Sequence, residues 1–590
     1  MKNRLIVCLW AALNSIAAGP APGRAAGTED ARLAGFFKNY LDAEVRRRPL
    51  QATRLGDHRF DHLLDDLSPR ARAGWKEFTR QTLADLSRQV CYRKLSRAGQ
   101  IDFEILKHEL TRSLWLADNT RPFEDDPRVY NEYLTDSVYL LLTQSTLPHE
   151  ENVKNAAARM ACIPKVISAA RESLHDPPHV FVETAIRQNR GAIAFYERDV
   201  LELAGEKSGQ AKLAGGAKKA AAALKDYQKW LETDLLPRAR GDWRLGREKF
   251  AQKLELELDA GLSADQVLKE AEAEFARVER DMYVIARQLW GRAFAHKALP
   301  PDDPAGRRAT IVRVLDHYSR DHARVEDLVR DAQAAVKHIK AFITERDILR
   351  LPDPDRCRVV EMPEFQRGNS MAFLNPAPPL DAKAASIYAI SPPPRDWSPG
   401  RVESFLEEYN RAMLQILTIH EAYPGHYVQL AYSNRNPSLI RRVLYSGVFA
   451  EGWAVYSEQM MLDQGYGDGD LPLRLNQLKW YLRSVANAIL DHKMHCTQIT
   501  DAEALAFLTG RAFQAEGEAV PKIVRAKQSS CQLSTYFVGR TAFYRLRQQI
   551  EREQGDRFSL GRYHEAVLDH GTLPVKYLPE LVRARLAKPR

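Results

Sequence analysis

Cysteine is scarce: six residues among 590, with no CxxC pair. Cys8, Cys91, Cys162, Cys357, Cys496 and Cys531 are widely scattered, which argues against a cysteine-ligated metal cluster and a dense disulfide scaffold. Pairing of one or two couples stays open. Long apolar runs are also missing, since the stretch from Leu5 to Ala18 is too short to cross a bilayer. Internal repeats and low-complexity tails are absent. Charge of one sign does not dominate: 86 basic against 77 acidic residues leave +9 over the whole chain. With no recognised nucleic-acid-binding motif beside it, that modest excess gives no reason to expect a specific nucleic-acid partner.

What is there is an ordinary globular composition, 45% hydrophobic and 28% charged. The length exceeds what one simple core fills, so two or more lobes are expected. Lys2 and Arg4, the apolar run and the small residues through Ala26 read as an export signal over residues 1–26. A periplasmic or secreted location follows from it, with cleavage near Ala18 or Ala26. Cys8 precedes most of the apolar run, which is unlike a lipid-attachment cysteine.

Helical periodicity then carries most of the chain, over about 28–56, 80–118, 129–144, 151–171, 177–205, 216–235, 262–292 and 308–348. Ser263 is placed to cap the helix at 262–292. The segment ALPPDDPAGRR interrupts the pattern and suggests a division into a helical lobe, 27–300, and a second lobe, 301–590. Residues 355–400 differ in kind: prolines separate the runs CRVVEM, MAFL and SIYAI, which fit short strands. The expected fold class is predominantly α, multi-lobed, with a small β region.

The densest chemistry lies in IHEAYPGHYVQL, residues 419–430. Imidazoles and carboxylates are suitable zinc donors, and Glu421 is placed to take a proton from water. His420 and His426 are six apart, a rotation of roughly 240° on a regular helix, so no undistorted helix aims both at one ion. Pro424 and Gly425 offer a kink, bulge or restart that turns His426 round. Glu451, in the apolar segment VFAEGWAVYSEQMM, is a third candidate ligand, and Glu458 shares its helix face and can support a ligand histidine. Asp491 and His495, four apart, share another face. Gln532 and Tyr536 share a third, and His495 or Tyr536 can hold a developing oxyanion. Each of these has a plain structural alternative: a satisfied core side chain or a helix cap. Thr500 and Glu503 have capping-box spacing.

At these residues the sequence resembles domain-of-unknown-function family 885, a bacterial group similar in turn to helical zincin peptidases of the carboxypeptidase Taq type. HExxPGH matches His420, Glu421, Pro424, Gly425 and His426; EGWAxYxE matches Glu451, Gly452, Trp453, Ala454, Tyr456 and Glu458. Asp491 and His495 match a later pair. Gln532, Tyr536 and Gly539 match PGQAxxYxxG, where Ser530 and Cys531 replace Pro-Gly; His564, Gly571 and Pro574 match a terminal pattern. The resemblance implies one Zn²⁺ held by His420, His426 and Glu451, Glu421 as general base, and His495 and Tyr536 as transition-state helpers. Glu458, Asp491 and Gln532 stand behind them. The expected activity is hydrolysis of a peptide or small amide. A metal-dependent amidase or esterase, or a binding protein with a structural metal site, are the alternatives.

Overall fold

Helices begin where the sequence supplies a cap and end where it withdraws one. The structure, a computed structural model, describes residues 22–362 and 371–588, with side chains from Thr28 onward. The expected export signal therefore lies outside the described residues, apart from the backbone of 22–26, which opens helix α1 (Pro22–Arg47). The single helix expected over 80–118 is two, α2 (Pro69–Gln89) and α3 (Arg97–Asn119). Ser68 and Ser96 cap them, each hydroxyl accepting from the backbone N–H three residues on. Next come α4 (His149–Ser173), α5 (Lys207–Trp230) and α6 (Arg247–Leu258). Helix α5 starts nine residues before the helix expected from 216, with Gly209 and Gly215 inside it. Helix α7 (Ala264–Ala293) starts at Ser263 in a full capping box with Gln266. The helix expected over 308–348 is also split, into Pro304–Ser319 and α8 (Leu328–Glu345).

The three apolar runs in 355–400 are the three strands β1 (Cys357–Glu361), β2 (Ala372–Asn375) and β3 (Ser386–Ile390). Their order is β1-β3-β2, with β1 parallel and β2 antiparallel to β3; Leu374 and Val359 both lie in register with Tyr388. The remaining helices that matter here are α9 (Arg411–Glu421), α10 (His426–Asn434), α11 (Gly447–Asp463), α12 (Leu471–Cys496), α13 (Glu516–Gln528), α14 (Thr535–Gln554) and α15 (Leu560–Leu568). The sheet docks on α9 through buried Tyr388, whose hydroxyl shares a 3.0 Å hydrogen bond with Thr418 Oγ1.

Two apolar cores form. One lies between Leu50 and Ala239, where α4 packs on α5. The larger joins Leu33–Leu110 to the chain from Phe250 to Val582. In it α7 packs along α12, α11 along α14, and α9 against both α11 and α12. Helix α11 is buried nearly all round, from Val448 through Leu462, as expected for a helix inside a large core rather than on its surface. No helix of the described residues is long and apolar enough to cross a membrane.

Candidate metal centre

The six-residue spacing of the histidines is resolved by a break and a restart. Asn410 caps α9, its Oδ1 accepting from Met413 N, and the apolar residues Met413, Leu414, Ile416, Leu417 and Ile419 bury the helix. At its end the N–H groups of Ala422 and Tyr423 both donate to Thr418 O. Pro424, lacking an N–H, cannot extend the ladder, and the Tyr423–Pro424 peptide is cis. Gly425 then donates to Ile419 O at 3.0 Å. A Cβ there would collide with the carbonyl oxygens of Ile419 and His420, so only glycine fits. Helix α10 restarts at His426, and the two imidazoles meet with ring centroids 4.8 Å apart and planes at 90°.

Helix α11 delivers the third group. Glu451 Oε2 lies 3.8 Å from His420 Nε2 and 3.4 Å from His426 Nε2. One donor atom from each of the three residues falls within 4.8 Å of the other two. The break is pinned to α11 by Trp453, whose Nε1 donates to Pro424 O at 2.8 Å. Glu451 also depends on a close helix crossing. Gly452 of α11 and Gly539 of α14 lie backbone against backbone, and a Cβ on either would strike the other helix.

His420 Nδ1 shares a 2.7 Å hydrogen bond with Glu458 Oε1, whose carboxyl is fully buried. The tautomer that carries the proton on Nδ1 leaves the Nε2 lone pair directed at the cluster, the usual work of a carboxylate behind a ligand histidine. Burial, with His426 nearby, pushes His420 down to about 3, which keeps it neutral and able to donate a lone pair. Burial raises Glu458 well above the usual carboxylate range, while the Trp480 indole beside it pulls the other way. Burial also acts on Glu451 and His426, but their hydrogen bond and mutual charge prevail, so Glu451 is lowered and His426 raised. Two imidazole nitrogens and a carboxylate, with a buried carboxylate behind one of them, fit a zinc-type divalent ion.

Glu421 precedes the break, and its Oε2 accepts from Leu374 N on β2 at 3.0 Å. Burial pushes it up to about 7; the charge of His426 lowers it and that of Glu451 raises it. A carboxyl tuned this way, beside a metal cradle, is suited to proton transfer near neutral pH. Burial raises Tyr536 too, and the nearby charge of Glu451 adds to it. Its hydroxyl accepts from Gln532 Nε2 at 3.3 Å and from Arg525 Nη2 at 3.1 Å, which leaves its own proton free to donate. Tyr445, 59% exposed, stands near Glu451 and Tyr536 and lines, with Gln532, a cavity of about 520 Å³.

The expected partner set is therefore brought together unevenly. Asp491 serves the Tyr536 segment: its carboxylate accepts from Cys531 N at 3.0 Å and from Ser534 Oγ at 2.8 Å. That bond holds Cys531 at φ +73, a left-handed conformation in which the family pattern has glycine. The turn is thus kept without Pro-Gly. His495 is not part of the candidate ligand group among the described residues. Its ring stacks on Phe250 of α6 and meets Trp243 edge-on, and Nε2 is committed to Ala526 O at 2.9 Å. Burial pushes it down to about 4. These contacts pack it between α6 and α13, and its Nδ1 is buried without a partner among the described residues. His564 is likewise structural, bridging Tyr456 Oη and Ile348 O. Arg525, Trp480 and the Leu374 N–H were not singled out in the sequence: the first sits in an ordinary amphipathic helix, and a backbone donor carries no side-chain signal.

The model of the family described as "Bacterial protein of unknown function (DUF885)" matches residues 49–582. The chain belongs to that family. Among solved structures, it is similar to a proposed lipoprotein of unknown function from Shewanella oneidensis, at 30% identity and a TM-score of 0.78, over 93% of this chain and 99% of that one. A proposed lipoprotein from Colwellia psychrerythraea shares the fold at 20% identity and a TM-score of 0.79, over 95% and 99% of the two chains. No curated protein matches the chain.

Proposed function

We propose that this DUF885 member is a zinc-dependent hydrolase that cleaves peptides. The observation that carries the reading is the convergence of His420, His426 and Glu451 within 4.8 Å, with Glu421, held by Leu374 N, beside them. His420, His426 and Glu451 would hold the ion, and zinc in such a cradle supplies Lewis acidity toward a carbonyl. Glu421, steadied by Leu374 N, takes a proton from the attacking water and returns it to the leaving amine nitrogen. The Tyr536 hydroxyl, with its oxygen held by Gln532 and Arg525, donates to the oxyanion that develops on the carbonyl. Strand β2 lies at an edge of the sheet and already meets Glu421, so an extended substrate can pair along it. The cavity of about 520 Å³ near Tyr445 adjoins one of about 750 Å³ that shares Glu109, Arg112, Leu444 and Tyr445, room enough for several residues of an extended chain.

We place the activity outside the cytoplasm, on the strength of the N-terminal signal pattern and the lipoprotein descriptions of two similar structures. The test is a peptide library incubated with the zinc-loaded protein and with Glu421→Gln. Cleavage by the first and a loss of about 10²–10⁴-fold in the second is expected. Turnover of esters or non-peptide amides alone would instead support the amidase or esterase reading.

A further inference from the structure

Beside the metal residues lies a group of basic side chains to which peptide hydrolysis, as described, assigns no task beyond the Arg525 contact to Tyr536. Glu518, Lys522 and Arg525 recur on α13 at intervals of four and three, which puts them on one face of the helix. Arg525 reaches Tyr536 at one end of this face. At the other end Arg483, from α12, pairs with Glu518 at 2.9 Å and stacks on Trp480 at 4.6 Å, next to Glu458. Tyr409 Oη also donates to Glu518. The only carboxylate on this face of α13 is thus engaged by Arg483 and Tyr409.

Lys522 lies between these two ends. It is 4% exposed and makes no hydrogen bond or ion pair among the described residues. Arg525 has no acidic partner among them either, and Arg483 Nη1 is buried without an acceptor. Burial and the nearby charges of Arg483 and Arg525 hold Lys522 well below the usual lysine range, against the pull of Glu518, and an apolar side chain of the same length would pack there without leaving a buried amine that lacks an acceptor. An amine kept there without an acceptor, one helical turn from the Arg525 that touches Tyr536, points to an anion that arrives with the substrate and whose charge favours the ammonium form. Planar guanidinium groups flanking an ammonium suit the two oxygens of a carboxylate.

We propose that Lys522, flanked by Arg525 and Arg483, seats a carboxylate of the peptide substrate and makes this site selective for it. The inference rests on the hydrolytic reading above and names its substrate class. The carboxylate comes either from a free peptide C-terminus or from an acidic side chain, and the two are separable by experiment.

The experiment is calorimetric binding to the zinc-loaded full chain and to Lys522→Met. Three N-acetylated tripeptides serve as probes: a free acid, its C-terminal amide, and an amide that carries a glutamate side chain. Wild type is expected to bind at least one carboxylate form tighter than the plain amide by about 10-fold or more. Preference for the free acid identifies the C-terminus, and preference for the glutamate amide identifies a side chain. Lys522→Met is expected to lose that preference, to keep its zinc, and to melt at or above the wild-type temperature. Equal binding of all three probes by wild type overturns the proposal without recourse to any variant. So does an unchanged preference in Lys522→Met, or a lower melting temperature, which would mark Lys522 as a structural support. Peptide turnover is followed in parallel. Selective binding without turnover sinks the peptidase reading and keeps the carboxylate seat, whereas turnover without selectivity does the reverse.

Discussion

At the residue scale, the site separates groups by the work their surroundings permit. His420 is kept neutral by burial and aimed by Glu458, so the pair can serve as one ligand. Replacing Glu458 by Gln removes the carboxylate behind that ligand. Zinc affinity is expected to fall by about 10–100-fold, measured by competition with a chelating dye; an unchanged affinity would show that Glu458 does not orient His420. Tyr536→Phe removes the proposed oxyanion donor while keeping the ring. A loss of about 10²–10³-fold in kcat with little change in KM is expected from steady-state kinetics on a cleaved peptide. His495→Ala should instead act through stability, because its ring fills the gap between Phe250, Trp243 and Ala526. The candidate ligand residues were legible as motif letters. Lys522 was not, because lysines on an amphipathic helix usually face water, and only the packing of α13 shows that this one does not; Arg525 is exposed and is marked only by its contact with Tyr536.

At the scale of elements, two crossings place the chemistry. The first is the α9–α10 break, anticipated from Pro424 and Gly425 but not from a regular helical period, and pinned by Trp453. The second is the Gly452–Gly539 contact between α11 and α14, which sets Glu451 against the segment that carries Tyr536. Alanine at either position forces the helices apart. Destabilisation by about 1–3 kcal/mol is expected in denaturant titration, together with weaker zinc binding. The sequence marks both glycines within family patterns, yet nothing in their spacing reveals that they touch. The Asp491 turn adds a pH dependence. Burial pushes Asp491 up to about 7, against the pull of Ser534 and Cys531 N, while an aspartate in the unfolded chain sits at 3.8. Between these values the folded protein holds the proton more tightly, so stability from this group is full below the unfolded pKa and is lost as pH rises toward 7. Thermal melts of Asp491→Asn over this window should show a flatter pH profile than wild type; identical profiles would contradict the assignment.

At the scale of the whole molecule, helical periodicity gave away the architecture, and the three apolar runs between prolines gave away the three strands. The splits at 90–96 and 320–327 did not show in the pattern, since apolar spacing continues across both. Nor does periodicity reveal which helices share a core: α1 and α3, early in the chain, pack with helices that follow residue 250, because burial is settled by tertiary contact. The proposed function rests on that shared core, which holds α9, α10 and α11 in fixed relation around one cluster. The most direct test is metal content of the purified mature protein beside His420→Ala and Glu451→Ala. The account predicts about one zinc per chain in wild type, as a three-ligand catalytic site requires, and its loss in both variants. Metal-replete wild type without stoichiometric metal, or variants that keep it, would contradict the metal centre and the hydrolase built on it.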